Sequence, residues 1–323
     1  MPYTYPLHSV ISVLLGKIAS GITHSNTTAY SAFLYSNTNP ITGINQRLAI
    51  TPKSNVVTAD YDQPAQKAMI TLRDVLNMLR DCFRCYWFID SSNRLRIEHI
   101  SYFMNGGAYP GTPGFPEIGV KLTEQIVTRN GKPWSYARNQ YRFDKPAMAA
   151  RYQFGWMDDV TELFDGYPID ILSPYVEQDN IEEINVAKFT SDIDYVMLNP
   201  TAVSKDGFVL LSGTPSGNQL IIPFYDFVIH GVSHILQNPY VSFQFLQEYY
   251  DYDMPARNYE INGVFHVATG VKRLKLQSIR FPALHDPDLS KLIKTEIGSG
   301  EIEEISINLS SRNATATLRY DTE

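Results

Sequence analysis

Two cysteines separated by two residues are the first candidates for chemistry in this sequence. Cys82 and Cys85 form a C-x-x-C pair, which in a redox enzyme lies at a helix N-terminus, where the dipole lowers the thiol pKa. Here the pair follows a helical pattern and lies at its C-terminal end, so we interpret both cysteines as core residues. Zinc is also disfavoured, because His99 alone cannot complete the four ligands.

Clusters of carboxylates and one histidine pair are the other candidates. They are Asp158-Asp159, Asp179 with Glu182-Glu183, Asp251 with Asp253, and His230 with His234. Paired carboxylates could serve a glycosidase, and oxygen ligands could bind a hard cation. None of the acidic clusters has EF-hand spacing, so solvated acids are the favoured interpretation. The histidines would share one helical face, but their apolar neighbours favour an ordinary packed segment.

The sequence contains no G-x-S-x-G, P-loop or G-x-G-x-x-G pattern. We therefore predict a protein that is not an enzyme, with no catalytic residues, no cofactor and no metal. A pair of acids that meet only in the folded chain would leave a hydrolase as an alternative.

Composition narrows the possible partners. The 323 residues are 44% hydrophobic and 19% charged, which is typical of a folded chain of two or three domains. The formal charge of −7, without a block of basic residues, disfavours nucleic-acid binding. The 21 tyrosines favour extensive interfaces with protein or carbohydrate, since tyrosine offers a large amphipathic contact area.

The N-terminus favours cytoplasmic synthesis. No basic region precedes the apolar run at Val10–Leu15, as a signal peptide would require, and no stretch approaches the roughly 20 apolar residues of a membrane span. The apolar spacing over residues 7–18 predicts an amphipathic helix that ends before Gly21.

Residues 71–100 predict a helix that leads into a β-hairpin. Apolar residues spaced three and four apart mark one helical face from Leu72 to Tyr86, and Thr71 with Asp74 resembles a capping box. The period then changes to two. The second strand, residues 94–100, alternates polar and apolar side chains, so we expect one wet face and one core face.

The rest of the chain predicts mostly strands. Glycines and prolines concentrate in residues 105–118, which we interpret as a linker between an α+β domain (1–104) and a β-rich domain (119–323). A short helix is expected near 122–128, and alternating segments over 264–321 predict a closing antiparallel meander. The predicted fold class is α+β, predominantly β, with the second domain an antiparallel, barrel-like sheet that carries short helices.

Two segments together resemble structural proteins of tailed bacteriophages and prophages. Residues 71–103 are similar to the helix-and-hairpin units of tail or baseplate hub proteins of Bacteroidetes phages, and residues 293–321 look like their closing meander. The helix with the following ID…NRLRIEH pattern also resembles the small periplasmic domains of secretins.

The phage resemblance implies a ring-forming subunit made in the bacterial cytoplasm and carried in the virion tail. Its partners would be copies of itself and other tail or baseplate proteins. We expect the interface among polar residues of the hairpin and tyrosines of an aromatic segment: Arg94, Arg96, Glu98, Tyr249, Tyr250 and Tyr252. Two alternatives are a receptor- or glycan-binding module, suggested by the aromatic stretch 243–252, and a cell-wall hydrolase associated with a tail.

Overall fold

The described part of the chain is a mixed α and β structure built mostly of strands. This computed structural model describes residues 4–35, 48–57, 69–104, 124–126, 128–129, 132–133, 141–142, 149, 151–156, 167–170, 179–193, 196, 207–216, 219–222, 224–229, 232–237, 241, 257–261, 264–268, 273–282, 291–295, 298–311 and 313–321. The helices are α1 (Leu7–Ile18), α2 (Ala32–Tyr35), α3 (Lys53–Val57), α4 (Leu72–Phe83) and α5 (Ile100–Met104).

The strands are short and numerous. They are β1 (Tyr5–Pro6), β2 (Leu48–Pro52), β3 (Cys85–Ile89), β4 (Leu95–His99), β5 (Glu124–Gln125), β6 (Thr128–Arg129), β7 (Lys132–Pro133), β8 (Tyr141–Arg142), β9 (Arg151–Trp156), β10 (Tyr167–Asp170), β11 (Ile181–Val186), β12 (Phe189–Thr190), β13 (Phe208–Ser212), β14 (Thr214–Ser216), β15 (Gln219–Ile221), β16 (Phe224–Ile229), β17 (Val232–Gln237), β18 (Arg257–Ile261), β19 (Val264–Ala268), β20 (Arg273–Pro282), β21 (Leu292–Thr295), β22 (Gly298–Asn308) and β23 (Asn313–Asp321).

Three sheets organise these strands, and several two-stranded hairpins accompany them. Their orders are β1-β2-β13-β12, β10-β9-β11 and β5-β21-β22-β23-β20-β8. Most pairings are antiparallel, as predicted, but β12 with β13, β11 with β9, and β21 with β5 are parallel. A parallel pair needs a crossover connection between its two strands. The alternation of polar and apolar residues within a strand does not indicate whether its partner runs parallel or antiparallel.

One apolar cluster joins the N-terminal elements to strands that come much later in the chain. It includes Ile11 of α1, Leu79 of α4 and Ile97 of β4, together with Phe154 of β9 and Phe208 of β13. Strand β2 also pairs with β13 along its length. The core therefore includes residues from both sides of 105–118, a segment that lies outside the described residues. The proposed domain boundary there stays a prediction.

Helix α4 forms as its sequence predicts, with a complete capping box. The Asp74 N–H donates to Thr71 Oγ1 at 3.2 Å, and the Thr71 N–H donates to Asp74 Oδ2 at 2.9 Å. The helix ends at Arg84, whose φ of 49° is left-handed and whose N–H donates to Arg80. Lys188, in the turn after β11, donates to Asp74 Oδ2 at 2.9 Å and thereby ties the helix start to that turn.

The capping threonine provides a local test of stability. We expect Thr71→Ala to lower the free energy of unfolding by about 1 kcal/mol, because the Asp74 N–H loses its side-chain acceptor. Urea denaturation followed by circular dichroism measures the loss. Thr71→Ser keeps the hydroxyl and is the matched control. Equal stability of the alanine and serine variants would contradict this account.

The hairpin of β3 and β4 is also present, with Cys85 opposite His99 and Ile89 opposite Leu95. Its turn is held by Asp90, whose carboxylate accepts from the Ser92 N–H at 2.9 Å. The expectation of a wet face on β4 holds only in part, because Arg94 and Arg96 are partly exposed whereas Glu98 is fully buried. The N–H groups of Ala32 and Phe33 at the start of α2 bind its carboxylate.

The C-terminal strands form, but the predicted sequential meander is wrong. Strand β23 lies between β22 and β20, and β19 pairs with β18 in a separate hairpin. Strand β21 pairs with one edge of β22, and β20 pairs with the far edge of β23. The buried face of β23 follows the predicted alternation, with Ala314, Ala316 and Leu318 buried.

Two smaller predictions also meet the structure. The expected helix near 122–128 is wrong, since Glu124–Gln125 and Thr128–Arg129 are strands. Backbone pairing with Leu292 and Ile293 draws the first of these segments onto β21. His234 lies in strand β17 and not in a helix, and His230 lies outside the described residues.

Candidate protein–protein interface

A partly exposed aromatic surface covers the face of the hairpin that points away from the core. Tyr86 and Phe88 alternate with core-facing residues on β3, and their partners across the hairpin are Glu98 and Arg96. Helix α5 follows β4 directly and adds its own aromatic side chains. We name this surface the aromatic–arginine patch and define it as Tyr86, Phe88, Arg96, Tyr102 and Phe103.

The rings of the patch contact one another in a continuous network. Phe103 meets Tyr86, Phe88 and Tyr102 edge to face, with centroid distances of 6.5, 5.7 and 5.5 Å. Phe88 and Tyr102 lie nearly parallel, with an interplanar angle of 23°. Edge-to-face and offset-stacked geometries are favourable for aromatic pairs. The network therefore restrains the orientation of these rings within the chain itself.

Arg96 places a positive charge inside this network. Its guanidinium carbon lies 5.1 Å from the centroid of Tyr102 and 5.8 Å from that of Phe88, which is cation–π range. Its Nη2 donates to Glu98 Oε1, while its buried Nε has no hydrogen-bond partner. Burial lowers the pKa of Arg96, whereas the hydrogen bond to Glu98 and the negative charge of Glu98 raise it. The raising effects together are the larger, so the net shift of the pKa is upward.

Glu98 is a structural carboxylate beneath the patch. Its two oxygens accept from the N–H groups of Ala32 and Phe33, at 3.0 and 3.2 Å, at the first turn of α2. The same carboxylate holds Arg96. One buried acid therefore connects the patch to α2.

The six predicted interface residues have different surroundings. Arg96 lies in the patch, whereas Glu98 is buried and Arg94 braces the hairpin turn through Asp90 Oδ2 at 2.7 Å. Arg94 also lies over the ring of Tyr30, 6.0 Å from its centroid. The three predicted tyrosines, Tyr249, Tyr250 and Tyr252, lie outside the described residues. An interface at these six residues stays a prediction.

The aromatic residues of the patch were not identified from the sequence. Phe88 is partly exposed, and Ile89 on the other face of β3 is 54% exposed. A two-residue period places Tyr86 and Phe88 on one face of β3. Tyr102 and Phe103 follow the end of β4 within about one helical turn. That combination was the available signal.

The cysteine pair is packed in the core, as predicted. Cys82 lies in the last turn of α4, and Cys85 is the first residue of β3. Both thiols are fully buried. Burial raises the pKa of both thiols well above the usual range, and Glu98 adds to the effect at Cys85. His99, the other candidate ligand, packs its ring 5.2 Å from that of Phe33.

Within the described residues, no three His, Cys, Asp or Glu side chains are grouped so that they could hold a metal ion. The described acids of the 179–183 cluster lie at the start of β11, where Glu182 and Glu183 are exposed. The other two acidic clusters lie outside the described residues. Across the same described part of the chain, no helix is long and apolar enough to cross a membrane.

Comparison of the chain with protein-family models, with curated proteins and with solved structures found no match.

Proposed function

We propose that this protein is a structural subunit of a phage tail or baseplate-like assembly, and that it acts through protein–protein contacts with copies of itself and with other tail proteins. The aromatic–arginine patch is the observation that carries the proposal. Tyrosine, phenylalanine and arginine are enriched at the centres of interfaces, where a few rigid side chains supply most of the binding energy. The patch presents all three residue types in a fixed arrangement.

The architecture supports the same proposal. We propose that residues 119–323 form a β-rich, barrel-like domain, in which the six-stranded sheet gathers strands from β5 to β23. Subunits of symmetric assemblies work through buried interface area, and a closed ring leaves no contact surface unpaired. The resemblance of residues 71–103 and 293–321 to tail hub proteins supplies the class of assembly. The proposed location after assembly is the virion tail.

Purified particles test the phage assignment. We expect mass spectrometry of tailed particles from the strain that carries this gene to find the chain in a fixed ratio to the tail-tube protein. A soluble protein of the host lysate is the matched control, since it should be lost during purification. Particles that lack the chain would contradict the assignment, and neighbouring genes unrelated to portal, tail-tube or tape-measure proteins would weaken it.

The alternatives remain predictions. A glycan-binding module was suggested by residues 243–252, of which none is described, and a hydrolase would need two acids or a metal triad in one pocket. Glycan-array binding would favour the first, and cleavage of peptidoglycan would favour the second.

A further inference from the structure

The outer edge of β4 is already covered by a segment of the same chain. Residues 23–30, which we name the strap, run along this edge. The Leu95 N–H donates to the Thr23 carbonyl and the Ile97 N–H donates to the Tyr30 carbonyl, each at 3.0 Å. The Thr23 N–H in turn donates to the Asn93 carbonyl at 3.0 Å. These bonds satisfy backbone groups that would otherwise be free to pair with another strand.

His24 fastens the strap through its ring. The side chain is 5% exposed, with Nδ1 3.0 Å from the Leu95 carbonyl and Nε2 2.9 Å from the Tyr35 hydroxyl. A carbonyl oxygen can only accept, so Nδ1 carries the hydrogen of the neutral ring. Nε2 must then accept the hydrogen of the Tyr35 hydroxyl.

A proton added to the His24 ring would disturb its hydrogen bond to Tyr35 and place a charge in a buried site. Protonated Nε2 becomes a donor, so the Tyr35 hydroxyl must reverse its role and its own hydrogen loses its acceptor on His24. The added charge would also lie in a buried site beside the rings of Tyr30 and Tyr35, whose centroids are 5.6 and 5.7 Å away. Burial of a charge and of an unpaired donor is costly.

The surrounding ionisable groups do not offer His24 a partner charge within the described residues. His8 of α1 faces the site across Tyr35 and opposes a second positive charge. Arg94 of β4 lies over Tyr30, Cys85 of β3 lies near Tyr35, and the carboxylate of Glu98 is engaged with α2 and Arg96. The ring of His99 in β4 packs against that of Phe33 in α2.

We propose that His24 is a proton-operated latch, and that protonation of its ring releases the strap and exposes the outer edge of β4. The released edge would present the N–H groups of Leu95 and Ile97 and the carbonyl of Leu95 to an incoming strand. The fold thus contains a strand edge that is closed at neutral pH and opens in acid.

The direction of the pH dependence follows from the shift at His24. Burial lowers the pKa of His24 to about 4 from an ordinary value of 6.5, while the bond to the Leu95 carbonyl partly offsets this shift. When the strap is released, the ring of His24 takes up a proton once the pH falls below 6.5. When the strap is fastened, the ring takes up a proton only near pH 4. Opening therefore becomes easier as the pH falls from 6.5 toward 4, by a factor of roughly 100 over that window.

Hydrogen exchange of the full chain tests the latch. We expect protection of the Leu95 and Ile97 amides, corrected for intrinsic exchange, to fall by roughly 100-fold between neutral pH and pH 4. Amides within α4, such as that of Leu79, should remain better protected than those of Leu95 and Ile97 at pH 4. His24→Gln, which offers a donor and an acceptor but cannot titrate, should remove most of the pH dependence. Melting curves check that this variant folds.

Three results would overturn the latch. They are an equal loss of protection in the wild type and His24→Gln, a loss that disappears in Glu98→Gln instead, and protection at pH 4 that is as low in α4 as at Leu95 and Ile97. The first two would assign the acid response to another group, and the third would show global unfolding. None of these outcomes bears on whether the chain is a tail subunit.

Discussion

Replacement of Glu98 by alanine is expected to lower the free energy of unfolding by about 3 to 5 kcal/mol, the largest loss for any single side chain discussed above. The carboxylate is fully buried, and three donors converge on it: the Arg96 guanidinium and the N–H groups of Ala32 and Phe33. Its removal leaves a partly buried cation and two amides, that of Phe33 buried, without this acceptor. Urea denaturation followed by circular dichroism measures the change.

Two variants separate the role of Glu98 from the general effect of losing an acid. Glu98→Gln keeps the shape and one acceptor oxygen, so its loss should be smaller than that of alanine. Glu304 lies on an exposed position of β22, and Glu304→Ala should leave stability nearly unchanged. If Glu98→Ala were as stable as Glu304→Ala, the buried bridge between α2 and the patch would be wrong.

Tyr102→Ala is expected to weaken self-association of the chain by about 30-fold or more, which corresponds to about 2 kcal/mol. Tyr102 covers one side of the Arg96 guanidinium and contacts both Phe88 and Phe103. Its loss removes a rigid aromatic anchor from the centre of the patch. Sedimentation velocity over a series of concentrations measures the change in association.

Tyr5→Ala is the matched control for that experiment. Tyr5 is 52% exposed on β1 and lies outside the patch, so its removal takes away an exposed aromatic ring without changing the proposed interface. Both variants should keep the α4 and hairpin signals in circular dichroism. Equal weakening by the two substitutions would show that aromatic surface in general, and not the patch, drives association.

The parts of the fold that the sequence predicted well are those that depend on neighbours along the chain. Apolar residues at three- and four-residue spacing and a threonine followed by Asp74 were enough to locate α4, and a change of period located the hairpin. The cysteines were assigned to the core from their position at the helix end. Each of these inferences uses interactions within a few residues.

The parts that were missed depend on residues far apart in the sequence. Glu98 looked like an exposed strand residue because its partners lie 65 and 66 positions earlier, in α2. The strap over β4 is held by a histidine 71 positions before Leu95, and no local pattern in the hairpin indicates that contact. Strand order in the C-terminal sheet likewise depends on β21, which occupies one edge of β22.

Sedimentation equilibrium of the full-length wild type, Tyr102→Ala and Tyr5→Ala tests most directly whether this protein works by assembling through the aromatic–arginine patch. We predict that the mass of the wild type and of Tyr5→Ala rises above the 36.6 kDa of one chain as concentration increases, while Tyr102→Ala stays near that mass. A wild type that remains at 36.6 kDa at every concentration, or a Tyr102→Ala variant that associates as strongly as the wild type, would contradict the account.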